Sequence, residues 1–186
     1  MRWLVAALAL LATACATVSP PEMSAGGAAV SAAPFTVEGR LSARRGSEGG
    51  AAHFTWLHDA ARDVIELATP LGQTLARLTG SVDGVRAEWP DGRVVDARDW
   101  DDMTTRALGV PIPVQGLAAW LRGQSRGTTP SRIERDARGR TAVLVQDGWE
   151  IVYAYADDDA ARPSRLTLRY AQGEPTEVRV VVDRWD

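Results

Sequence analysis

The chain has 186 residues, a formal net charge of −3 and a single cysteine. That length allows one domain with a sizeable core. The mild acidity, with no block of like charge, excludes a nucleic-acid tail, which needs a concentrated basic face, and one cysteine excludes an internal disulfide.

Met1-Arg2 is a short basic start, followed by an apolar run from Leu4 to Ala14. The run is too short to span a bilayer, which takes about 20 apolar residues. It has the length and flanks of a signal-peptide core. Leu11-Ala12-Thr13-Ala14-Cys15 resembles the lipobox of bacterial lipoproteins, with Ala12 where leucine is usual. The resemblance implies cleavage of residues 1–14 and lipidation of Cys15. The alternative is an ordinary secretory signal cut near Ala14, with Cys15 incidental. Residue 16 is alanine rather than the aspartate that retains enteric lipoproteins in the inner membrane, which favours the outer membrane. Residues 15–34 are rich in Pro, Ala, Ser and Gly and hold too little apolar bulk to fold, so they read as a lipidated flexible tether.

The body, 35–186, is strand-like. Ala52, Phe54 and Trp56 alternate with His53 and Thr55. Val64–Ala68 and Leu75–Leu78 flank the turn Thr69-Pro70-Leu71-Gly72-Gln73. Val85–Trp89 and Arg93–Val95 surround Pro90-Asp91-Gly92, a hairpin turn. The middle then changes character. Asp99 is a good helix N-cap, with Asp102 three residues on, which predicts a helix over Trp100–Leu108 ending at Gly109. Pro113 can open a second helix, whose Val114, Leu117, Ala118 and Leu121 form one apolar stripe. Trp120 lies beside that stripe, and Gly123 ends the helix. Strands resume at about Arg132–Arg135, Ala142–Gln146, Trp149–Ala156, Arg165–Tyr170 and Glu177–Val182, with turns at Asp136–Gly139 and Gln146–Gly148. The sum is a mainly β protein with minor α: an unclosed antiparallel barrel whose two short helices form a lid or plug.

Little in the chain suggests covalent chemistry. His53 and His58 fall on opposite faces of one strand, and no second cysteine or further histidine completes a metal set. Asp157-Asp158-Asp159 lacks the spaced ligands of a calcium loop and reads as a solvated turn. There is no Gly-x-Ser-x-Gly and no phosphate loop. The expectation is a protein that is not an enzyme, with no cofactor beyond a covalent lipid on Cys15 and no nucleic-acid partner.

Gly109-Val110-Pro111-Ile112-Pro113 through Leu117, Trp120 and Gly123 resembles the G-x-P-x-P-x-x-x-L-x-x-W-x-x-G signature of the LolB family. Gly39-Arg40-Leu41, Phe54-x-Trp56, Pro70-Leu71-Gly72, Gly148-Trp149 with Tyr153, and Trp185 follow the family order, while Phe35 stands where tryptophan is usual. The resemblance implies a half-barrel that receives lipoproteins from the periplasmic carrier LolA, holds their acyl chains in a hydrophobic cavity and inserts them into the outer membrane. It makes Leu71, in its Pro70-Leu71-Gly72 turn, a protruding membrane-insertion residue. On the residues alone, folding back into the core is the commoner fate of a turn leucine. Trp56, Leu117, Trp120 and Leu121 are candidates for the acyl-chain cavity and its lid, or else plain core. A lipocalin-like binder of a small hydrophobe and a structural envelope lipoprotein are the other classes the chain could serve.

Overall fold

A computed structural model describes residues 22–24, 33–108, 112, 114–170 and 172–186, with backbone alone at 22–24, 108 and 115. Cys15, the leader, most of the tether, and Gly109, Pro111 and Pro113 of the signature lie outside the described residues.

In chain order the elements are β1 (Glu22–Ser24), β2 (Phe35–Arg45), β3 (Glu48–His58), β4 (Arg62–Ala68), β5 (Thr74–Ser81), β6 (Gly84–Glu88) and β7 (Val94–Ala97). Two helices follow, α1 (Trp100–Leu108) and α2 (Val114–Trp120). The chain ends with β8 (Ser131–Arg135), β9 (Thr141–Gln146), β10 (Trp149–Ala154), β11 (Arg165–Tyr170) and β12 (Thr176–Trp185).

All described strands form one sheet in the order β1-β8-β9-β10-β11-β12-β2-β3-β4-β5-β6-β7, with antiparallel neighbours throughout. The edges β1 and β7 do not pair among the described residues, so the barrel is unclosed. The tether expectation needs one correction. Glu22–Ser24 adds to the edge of β8, opposite Ser131 to Ile133. Backbone pairing with an open edge needs no apolar side chains, so composition could not show it.

The turns follow local chemistry. Asp147 and Gly148 both take positive φ, 53° and 80°, as a two-residue hairpin of the type favoured by strand twist requires. The Asp99 side chain accepts from Asp102 N at 2.7 Å and so caps α1. Asp102 answers by accepting from Arg98 N at 3.2 Å, one residue earlier than a capping box needs.

The core lies on the inner face of the curved sheet, and it is graded. Along β3 the inward residues shrink from Trp56 through Phe54 to Ala52. Along β2 they pass from Phe35 and Val37 to Leu41 and Ala43, the last two only half-buried. At the bulky end, α2 sinks into the concavity. Val114, Ala118 and Leu121 are buried as the stripe predicts. Trp120, expected beside the stripe, is 0% exposed and belongs to the same core, with its Nε1 turned to Gln146 of β9.

The Asp63 carboxylate anchors that end. It accepts from Trp56 Nε1 at 2.8 Å, and the same oxygen meets His58 Nδ1 at 2.7 Å. Phe35 packs edge-on to the Trp56 ring at 5.2 Å. Asp63→Ala strands the buried indole N–H, a loss that costs about 1–3 kcal/mol. We expect a correspondingly lower urea midpoint with an unchanged slope; an unaltered midpoint would show the network to be dispensable.

Candidate functional site

Strand register places the β2–β3 hairpin, the β4–β5 turn and the β11–β12 connection at one end of the sheet, since Arg45 pairs with both Glu48 and Thr176 and Ala68 with Thr74. On β2 and β3 the inward side chains at this rim are small, and the core gives way to a hollow of about 710 Å³. Its floor comes from Leu41 and Ala43 of β2, Gly50 and Ala52 of β3 and Val178 of β12. One wall is the last turn of α1, Thr105 to Ala107. A volume of this size is within the ~300–1,000 Å³ of ordinary ligand sites.

Leu75 also lines the hollow, and its position depends on a backbone irregularity. The β4–β5 register runs Leu67 with Ala76, then Ala68 with Thr74, leaving Leu75 as an extra residue. Such a bulge re-aims a side chain that strict alternation would send outward. Leu75 is 40% exposed at the mouth.

The neighbouring β4–β5 turn is rigid. Thr69 N donates to Gln73 O at 2.8 Å, Gly72 N to Thr69 O at 2.9 Å, and Gln73 N to Thr69 Oγ1 at 3.1 Å. Pro70 restricts φ, and Gly72 takes φ +83°. Between them Leu71 stands 91% exposed. The choice between core and solvent left open by the residues is decided for solvent.

The other anticipated cavity residues are placed elsewhere. Trp56 is 2% exposed, Trp120 and Leu121 are equally enclosed, and Leu117 is half-buried against the same core. None of the four lines this hollow. Trp120 Nε1 donates to Gln146 Oε1 at 2.9 Å, while Gln146 Nε2 donates to Arg126 O and Thr129 O at 2.8 and 2.9 Å. An indole fixed on the axis of a curved sheet occupies the space a guest would need. The hollow therefore sits beside α1 and not beneath α2. A usable signal was present in the chain: Gly49-Gly50-Ala51-Ala52 precedes the aromatic half of β3.

Two of the charged side chains at the mouth are paired. Arg45 meets Glu174 at 3.2 Å, and Arg106 meets Asp102 at 2.9 Å. The Asp102 carboxyl is held below its ordinary range, chiefly by the Arg98 N–H, with Arg106 adding to the effect. Among the described residues no group of three or more His, Cys, Asp or Glu side chains could hold a metal ion, and no helix is long and apolar enough to cross a membrane.

Together these features define a half-barrel protein with a helix and tryptophans in its core and an apolar hollow at one rim. Residues 33–185 match the family described as outer membrane lipoprotein LolB, and the chain belongs to that family of lipid-anchored outer-membrane proteins, which are not enzymes. It is 37% identical over 180 residues to the outer-membrane lipoprotein LolB of Cupriavidus necator, covering 94% of this chain and 90% of that one. The protein of the same name in Thiobacillus denitrificans is 36% identical, with 97% and 95% covered. A LolA superfamily protein of known structure from Nitrosomonas europaea aligns over 85% of this chain and 87% of its own, at TM-score 0.49 and 8% identity.

Plug and mouth differ in how a truncation is felt. Trp120→Ala removes a fully enclosed ring and should cost about 3–5 kcal/mol in urea unfolding. Leu75→Ala, at the half-open rim, should cost less than about 1 kcal/mol because little packing is lost. Equal costs would mean that the rim is as tightly packed as the plug.

Proposed function

We propose that this protein, anchored to the outer membrane by lipid on Cys15, takes the acyl chains of lipoproteins from the periplasmic carrier LolA into its rim hollow and releases them into that membrane. The observation that carries the reading is juxtaposition: an apolar hollow and a leucine held in solvent share one end of the sheet.

The energetics need no nucleotide. Each methylene hidden from water is worth about 0.8 kcal/mol, so a bare acyl chain does not leave cover unaided. A receiver that binds the chain more tightly than its donor, and a bilayer that binds it more tightly still, give one-way flow. Leu71 adds a contact with hydrocarbon at the point of release. Because Pro70 and Gly72 hold the turn, its exposure costs no ordering on insertion.

Leu71→Glu should leave receipt of cargo from loaded carrier intact. It should cut delivery to liposomes by about tenfold or more, since exchanging leucine for a carboxylate costs up to about 3 kcal/mol in the bilayer. A transfer assay reading both steps tests this; delivery at the parent rate would reject the role of Leu71, and failure of receipt by the unsubstituted protein would reject the function.

A further inference from the structure

We infer that Gly50 is the residue that keeps the hollow open to an acyl chain. This deepens the proposed function and rests on the reading that the guest is an acyl chain.

The hollow of about 710 Å³ ends inward against the continuous core that holds Phe54 and Trp56. It is bounded on one side by Thr105 to Ala107 of α1.

The backbone carries this assignment. Gly50 pairs with Ala43 across β2 and β3 and lines the hollow. A Cβ built on Gly50 meets nothing within 4 Å, whereas one on Gly39, deeper in the same ladder, meets the Phe54 ring and the Val181 carbonyl. Gly50 does not have a positive φ either. Glycine is thus required here neither by the chain's conformation nor by a close neighbour. A glycine inside a strand weakens it, and the space it leaves is the hollow. Ala52 and Ala43 beside it are small in the same sense, and Leu75 and Val178 supply apolar walls.

Because Gly50 faces open space, a larger residue can enter without strain, which makes the test clean. The full mature chain carrying Cys15→Ala, which lacks only the lipid, is titrated with palmitate below its micelle concentration, with native mass spectrometry and calorimetry as readouts. We expect saturable binding of palmitate by this parent. Gly50→Leu in that background should keep or raise the thermal transition and weaken palmitate binding by about tenfold or more, because the side chain occupies the guest's volume. Ser81→Leu, an exposed site at the other end of β5, should bind as the parent does. Parent-like affinity in Gly50→Leu overturns the inference and leaves acyl-chain binding standing. No palmitate bound by the parent overturns both.

Discussion

A sheet that curves around itself must do something with its concave side. In this protein the concavity is filled in part and left empty beside β2 and β3 at one rim, and the rest of the structure depends on that division. In the filled part, large aromatic side chains meet a short helix. The indole N–H groups of Trp56 and Trp120 are satisfied, one by Asp63 and one by Gln146, as buried polar atoms require. That part supplies the stability that permits the hollow to remain unpacked, since each unfilled volume forfeits contact energy that the fold must find elsewhere.

The empty end is made by subtraction. Inward positions on β2 and β3 dwindle to alanine and glycine, and one bulge swings Leu75 to the mouth. Nothing there is catalytic in character. Arg45 and Arg106 at the mouth are tied to carboxylates at the surface, where such pairs contribute little to stability but keep the rim polar around an apolar floor.

Leaving the barrel unclosed serves the same end. Closure would have joined β1 to β7 and fixed the cup's width. The open sheet keeps α1 on one wall, attached to β6 and β7. The rim turn bearing Leu71 is, by contrast, held by three hydrogen bonds and a restricted backbone. Such rigidity matters, because an exposed leucine on a loose loop would collapse onto the nearest apolar surface, here the hollow itself.

Much of this was written in the chain. Alternation at Ala52, Phe54 and Trp56, the N-cap at Asp99, the stripe from Val114 to Leu121 and the Asp-Gly hairpin at 147–148 are all short-range effects, and short-range sterics and hydrogen bonds do not wait for the rest of the fold. The Pro70-Leu71-Gly72 turn was equally legible as a turn. What the chain did not contain was direction and depth. Whether Leu71 points in or out, whether Trp56 and Trp120 wall a cavity or plug it, and which helix borders the hollow depend on how far the sheet curls and how deeply α2 is driven in. The edge pairing of Glu22–Ser24 is of the same kind, since a backbone ladder leaves no mark on side-chain pattern. Local spacing determines which residues share a face; only the assembled curvature decides how much space that face encloses.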